Sequence, residues 1–161
     1  MSVENVKAYF KKFGIENRIL ELDHTSATVE QAADTLGCKP SDIAKTLAFK
    51  VNENIIVVVV QGDDKIDNAK YKHTFKKKAK MVPFEEVETL VGHPVGGVCP
   101  FALKEGVKVY LDESLKSHEF VYPACGSCNS AIKMTIPELE KYSIFVDWVD
   151  VCKENRSSVG V

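Results

Sequence analysis

The spacing of apolar residues along this chain distinguishes predicted helices from predicted strands. Segment 3–13 carries apolar and aromatic residues at helical spacing and is followed by Gly14, a residue suited to end a helix. Segment 55–61 is instead a nearly continuous run of branched apolar residues, which predicts a strand buried on both faces. Further helices are predicted to begin at Thr28, Asp67, Pro83 and Pro137, and further strands over 17–22, 46–51, 107–111, 119–122, 131–135 and 144–149.

The predicted strands outnumber the helices, and a short polar loop at 52–54 joins two of them as a hairpin. This order predicts an α/β (α+β) fold with a mixed, mostly antiparallel, barrel-like sheet surrounded by helices. A Rossmann sheet is not expected, because no glycine-rich turn joins a first strand to a helix. Residues 1–155 are predicted to form a single domain, and 156–161 a frayed tail.

Composition adds few constraints on function. The chain has 161 residues, a formal net charge of −2 and five cysteines. We expect no secretory signal and no membrane span, since the longest apolar run is too short to cross a bilayer. A cytoplasmic protein with reduced thiols is therefore predicted.

Positive charge is concentrated between residues 65 and 80, where seven lysines crowd together. Such a segment can contact nucleic-acid phosphates even when the total charge is slightly negative, although a solvated helix face is the simpler interpretation. The candidate contact residues are Lys70, Lys76, Lys77 and Lys78.

The segment His93–Phe101 combines adjacent glycines with flanking prolines and almost no charge. Its backbone amides at Gly96, Gly97 and Val98 could face an anion or a polarised carbonyl group. A β-bulge or a barrel corner is the structural alternative. Lys45 precedes an apolar strand and could project its ammonium into a cleft, or could be an ordinary surface lysine.

The cysteines allow several interpretations. Cys125 and Cys128 could form a redox pair, could share a zinc ion with scattered ligands such as His93 or His118, or could lie in a plain turn. Cys99 could be a nucleophile, but a small apolar filler inside the loop is the simpler interpretation.

Lys45-Thr46-Leu47 before a hairpin, followed about fifty residues later by Val95-Gly96-Gly97-Val98-Cys99-Pro100, resembles the YbaK/ProX family. This family comprises aminoacyl-tRNA deacylases related to the editing domain of bacterial prolyl-tRNA synthetases. The resemblance covers nearly the whole chain. It implies hydrolysis of the ester of a mischarged tRNA, such as alanine or cysteine on tRNA for proline, without a metal or organic cofactor.

The resemblance also implies roles for particular residues. The catalytic set would be Lys45, Gly96, Gly97 and Val98, and the substrate-binding set would be Thr46, His93, Cys99, Pro100, Gly126 and Ser127. The partners would be the acceptor end of mischarged tRNA and prolyl-tRNA synthetase, with the protein itself a monomer or a weak dimer.

The turn at 125–129 departs from many relatives, which have a basic, glycine-rich turn and an acid on the next strand. Ala131 stands at about the place of that acid. Three hypotheses therefore remain: an editing hydrolase, a non-catalytic module that binds tRNA or a synthetase, and a thiol–disulfide protein.

Overall fold

The computed structural model describes residues 2–22 and 28–153. The predicted tail at 156–161 lies outside the described residues. No helix in these two ranges is long and apolar enough to cross a membrane. The helices of the described residues are α1 (Ser2–Lys11), α2 (Val29–Leu36), α3 (Asn68–Phe75), α4 (Val87–Val91) and α5 (Ile136–Ser143). The strands are β1 (Leu20–Glu21), β2 (Ile43–Val51), β3 (Asn54–Gln61), β4 (Lys108–Asp112), β5 (Phe120–Pro123), β6 (Ser130–Ala131), β7 (Met134–Thr135) and β8 (Asp147–Val149).

Within the described residues, six strands form a curled, half-barrel sheet in the order β7-β5-β2-β3-β4-β8, and β1 pairs with β6 beside it. The predicted mixed sheet with surrounding helices is confirmed. The long β2–β3 hairpin is antiparallel, as are the β5–β7 and β1–β6 pairs. The β2–β5, β3–β4 and β4–β8 pairs are parallel, because the chain returns to the sheet through crossovers that contain helices or turns.

The β2–β3 hairpin forms the centre of the sheet because its sequence suits both faces. Val57 and Val59 of β3 belong to one apolar core, whereas Ile56, Val58 and Val60 belong to a second core. The hairpin loop is tighter than predicted: Val51 already pairs with Asn54, and Asn52 adopts the left-handed conformation with φ of 58°. This hairpin places the start of β2 beside the end of β3.

Several shorter elements differ from the prediction. Segment 17–22 contains only the short strand β1, because Glu16–Arg18 forms a 3₁₀ turn. Segment 131–135 is not one strand: β6 pairs with β1, and β7 pairs with β5. The predicted strand 144–149 begins only at Asp147, because Ile144 adopts a left-handed conformation directly after α5. These segments are short, and their pairing depends on distant partners.

Candidate active site

A cavity of about 390 Å³ lies between β2, α2, the glycine-containing loop (His93–Phe101) and the turn after β5 (residues 124–129). Its lining is mainly apolar and includes small side chains such as Ala44 and Ala48 on β2. The following predicted site residues line it: Lys45, Thr46, Gly96, Val98 and Ser127. Residues that are far apart in the sequence thus meet around one cavity that is open to solvent.

Lys45 lies at the start of β2, where it pairs with Val60 of β3. Its ammonium Nζ donates a hydrogen bond to the backbone carbonyl of Asp64 at 2.8 Å. Burial lowers the pKa of Lys45 below its usual value, and the nearby Asp64 and Asp63 only partly oppose that shift. The side chain is a cation held at the edge of an apolar cavity.

The glycine-containing loop turns sharply at Pro94–Gly97. The Gly97 N–H donates to the Pro94 carbonyl at 2.9 Å, and Gly96 takes a φ of 91°, which suits the third residue of a type II turn. The Gly97 carbonyl then accepts a hydrogen bond from Gly126 N–H at 3.1 Å. The loop is therefore fixed to the turn after β5 by backbone contacts.

The three predicted amide donors differ in whether they already donate a hydrogen bond within the protein. The Gly97 amide is already engaged, so the structure does not offer it to an oxyanion, contrary to the prediction. In the described part of the chain, the amides of Gly96 and Val98 donate no hydrogen bond. These two residues also line the cavity.

His93, Cys99 and Pro100 lie behind the loop and are buried there, so the prediction that they contact substrate does not fit their positions. His93 Nε2 donates to the Phe101 carbonyl at 2.6 Å, which leaves Nδ1 to accept from the Ser2 hydroxyl. Burial lowers the pKa of His93, consistent with a neutral ring. His93 supports the loop from inside the protein.

The cysteine hypotheses are weakened by burial. Cys99 lies 3.5 Å from His93 Nε2, but burial raises its pKa to about 12, so it is a protonated filler rather than a nucleophile. Burial also raises the pKa of Cys125. Cys128 is half-buried at the cavity wall, and the described cysteines are free thiols. A thiol–disulfide pair would need a reactive thiolate that Cys125 does not supply.

No zinc site joins the predicted ligands within the described residues. Donor atoms of a possible metal group come together instead at Asp64, Asp112 and Cys152, all buried. Both carboxylate oxygens of Asp112 accept backbone amides, from Ser114 at 2.9 Å and from Val151 at 2.8 Å. The hydrogen bonds of the Asp112 carboxylate link the end of β4 to the chain after β8.

The turn after β5 also lines the cavity. The Ser127 hydroxyl donates to Asn129 Oδ1 at 2.7 Å and lies 2.9 Å from the Ser130 hydroxyl. Gly126 has a φ of 99° and packs against Ser2, away from the cavity surface. Ser127 lines the cavity, whereas the predicted substrate residue Gly126 shapes the turn behind it.

Of the predicted tRNA-contact lysines, Lys70 lies in the first turn of α3, and Lys76, Lys77 and Lys78 follow the C-terminal end of the helix. Lys76 takes a left-handed conformation with φ of 64°, and Lys76, Lys77 and Lys78 are exposed. Lys70 forms an ion pair with Asp150 at 3.1 Å. The chain then runs beside β2 and reaches the cavity at Met81, so the basic segment leads directly to the cavity mouth.

Sequence reasoning missed some lining residues, including Tyr122, Cys128 and Thr28. Tyr122 pairs with Ile43 of β2, and burial raises the pKa of its hydroxyl. The alternation in β5 was a usable signal, because Val121 and Pro123 are buried while Phe120 and Tyr122 are half-buried. Cys128 had no such signal, since its place depends on how two loops pack.

Comparison with known proteins identifies the family of this chain. The model of the aminoacyl-tRNA editing domain family matches residues 23–142. The uncharacterized protein YwhH of Bacillus subtilis is 48% identical over 155 residues, covering 96% of this chain and 99% of that protein.

Two further relatives point to prolyl-tRNA synthetase. The proline–tRNA ligase of Bacillus cytotoxicus is 31% identical over 100 residues, which are 62% of this chain but 17% of the ligase. A solved structure, described as that of a candidate trans-editing enzyme for prolyl-tRNA synthetase, matches with a TM-score of 0.85 at 25% identity. That match covers 94% of this chain and 97% of the other. The chain belongs to the aminoacyl-tRNA editing domain family and is related to the editing domains of prolyl-tRNA synthetase.

Proposed function

We propose that this protein is a trans-editing deacylase that hydrolyses the ester of mischarged tRNA, with alanine or cysteine on tRNA for proline as the expected substrates. The observation that carries the proposal is the arrangement of Lys45 and the Gly96–Val98 loop around one apolar cavity. The family relationship supplies the reaction type. Prolyl-tRNA synthetase is a proposed partner, and a cytoplasmic monomer or weak dimer is the proposed form.

The mechanism needs little chemical machinery, because an aminoacyl ester is already activated. Water adds to the carbonyl carbon, and the bond to the ribose oxygen then breaks to release the free amino acid and tRNA. The amides of Gly96 and Val98 would stabilise the oxyanion, each donor contributing about 3 kcal/mol to transition-state binding. The Lys45 ammonium would hold the ribose or phosphate of the terminal nucleotide and so orient the ester.

The substrate amino acid would occupy the apolar part of the cavity. Small and branched side chains such as Ala44, Ala48, Val82 and Val87 line it. Such a surface favours a small uncharged side chain and disfavours a charged one, which would lose its hydration without gaining a partner. Thr46 and Ser127 also line the cavity and would supply polar contacts.

A specific observation keeps a second function in view. In the described part of the chain, no carboxylate or imidazole lines the cavity. This fits a reaction in which a ribose hydroxyl of the substrate positions the water. It also fits a non-catalytic module that binds tRNA or a synthetase.

One experiment separates the two functions. The purified protein is incubated with alanyl-, cysteinyl- and seryl-tRNA for proline, and release of the amino acid and binding of the tRNA are both measured. We expect hydrolysis of at least one substrate above the spontaneous rate. Binding without hydrolysis, while an active relative hydrolyses the same preparations, would support the non-catalytic module and contradict the deacylase.

A further inference from the structure

A polar network behind Lys45 connects it to His118, a residue outside the cavity. The Asp64 carbonyl, which accepts the Lys45 hydrogen bond, belongs to a tight turn at Gln61–Asp64. The Asp64 N–H closes this turn by donating to the Gln61 carbonyl at 3.0 Å. The position of the Lys45 ammonium therefore depends on how firmly the turn is held.

The Gln61 side chain is buried and oriented by its own partners. Its Nε2 donates to Asp63 Oδ1 at 2.8 Å and lies 3.3 Å from Asp64 Oδ1. This direction leaves Oε1 as an acceptor, and His118 Nε2 lies 2.6 Å from it. The side chain of Gln61 thus links the imidazole to the turn.

His118 is held from its other side as well. Its Nδ1 lies 3.0 Å from Asp42 Oδ1, and its side chain is only 10% exposed. Both ring nitrogens face acceptor oxygens, so the arrangement is complete when both nitrogens donate. His118 therefore links Asp42, directly before β2, to Gln61 at the end of β3. Lys45 lies near both positions, because it follows Asp42 in β2 and pairs with Val60, the neighbour of Gln61.

We propose that His118 is a positioning residue for Lys45, because it fixes the Gln61–Asp64 turn whose carbonyl receives the Lys45 ammonium. Its importance for catalysis rests on the proposed function, since Lys45 would need a fixed position to orient the ester. The positioning itself is a property of the folded protein and is measurable without any substrate. The two ideas therefore fail in different ways.

The direct test measures how fast Lys45 is acylated by a small amine-reactive reagent, followed by peptide mass spectrometry. Lys50, on the same strand and paired with Glu86 at 2.9 Å, is the internal reference. In His118→Phe we expect the rate at Lys45 relative to Lys50 to rise roughly fivefold, the factor for loss of one ordinary hydrogen bond. His118→Gln, which keeps one donor, should lie between Phe and wild type.

Thr35→Ala is the matched control, because the exposed Thr35 hydroxyl donates to the Gln31 carbonyl at 3.0 Å within α2, outside this path. It should leave the labelling ratio unchanged. If His118→Phe does not fold, His118→Gln and Gln61→Leu supply the same comparison. In the double variant His118→Phe with Gln61→Leu, Lys45 should be labelled no faster than in the more affected single variant. Both substitutions interrupt the same chain of hydrogen bonds, so their effects should not add.

An unchanged Lys45 labelling ratio in folded His118 variants would overturn the inference. In the deacylation assay, the His118 variants should also lose kcat/KM, with partial recovery in His118→Gln. Faster labelling in a protein that hydrolyses no ester would support the positioning and contradict only the proposed function. Ester hydrolysis by the wild type, together with unchanged Lys45 labelling in the His118 variants, would support the proposed function and contradict only the positioning role.

Discussion

The backbones of two loops meet at Gly97 with no room for a side chain. A Cβ atom there would lie 2.4 Å from the carbonyl carbon of Gly126 and 2.4 Å from the amide nitrogen of Ser127. Both contacts are with backbone, so a rotamer change cannot relieve them. The glycine is needed for the close packing of the two loops that bound the cavity.

We predict that Gly97→Ala destabilises the protein by about 1–3 kcal/mol, the usual effect of overpacking. Gly37→Asn is the control: a Cβ at Gly37 has nothing within 4 Å, and asparagine is found in the left-handed conformation that ends a helix, here with φ of 73°. Urea unfolding monitored by circular dichroism measures both. Equal midpoints for Gly97→Ala and wild type would show that the two loops separate without cost.

At the scale of elements, the segment from α3 to Met81 joins a basic surface to the cavity. Lys50 N–H donates to the Lys80 carbonyl at 2.8 Å, and Val82 N–H donates to the Ala48 carbonyl at 3.0 Å. These bonds hold the segment against β2, so the exposed lysines have a fixed relation to the cavity mouth. This arrangement suits a nucleic acid whose end enters the cavity while its backbone lies outside.

Charge reversal at Lys77 and Lys78 should therefore weaken tRNA binding and reduce its salt dependence. Removal of one lysine–phosphate ion pair reduces the steepness of log K against log salt by about 0.7–0.9. Reversal of Lys11 and Lys12 on and after α1 makes the same change in net charge away from the cavity. Binding assays across a salt series should separate the two variants, and identical slopes would remove the segment from the interface.

The sequence predicts elements well where the pattern itself determines the structure. The β2–β3 hairpin follows from its apolar strands and its polar loop, and Thr28, which accepts the Gln31 amide at 3.1 Å, begins α2 as predicted. The split of 131–135 into two strands was not predictable, because each piece pairs with a distant strand. The roles of Gly97 and His93 likewise depend on contacts between loops, which periodicity does not contain.

At the scale of the whole molecule, Arg18 ties the N-terminal region to α5. Its guanidinium donates to Glu138 at 2.8 Å and 3.1 Å, and to the Lys133 carbonyl at 2.7 Å. Glu138 also completes a capping box with Thr135. The Arg18 hydrogen bond is the main cause that lowers the pKa of Glu138 from 4.5 to about 2.

The lowered pKa of Glu138 determines how the stability of the protein changes with pH. Because the folded state favours the charged carboxylate, Glu138 contributes stability above pH 4.5, and that contribution is lost as the pH falls towards 2. Glu138→Gln should destabilise the protein by about 1 kcal/mol near neutral pH, since the pair is partly exposed. The difference from wild type should shrink as the pH falls through that window.

Urea unfolding at several pH values tests this prediction. Glu53→Gln is the matched control, because Glu53 lies in the β2–β3 loop and forms no ion pair among the described residues. A constant difference between Glu138→Gln and wild type at all pH values would mean that the Arg18 pair does not set the pKa of Glu138.

Lys45 and Lys50 provide the most direct test of the proposed active site, because both are lysines of β2 but only Lys45 lines the cavity. The measurement is the deacylation rate of alanyl-tRNA for proline by wild type, Lys45→Met and Lys50→Met, with folding confirmed for each. We predict a loss of about a hundredfold for Lys45→Met, comparable to removal of an oxyanion donor, and little change for Lys50→Met. A Lys45→Met protein that hydrolyses the ester at the wild-type rate would contradict the assignment of this cavity as the active site.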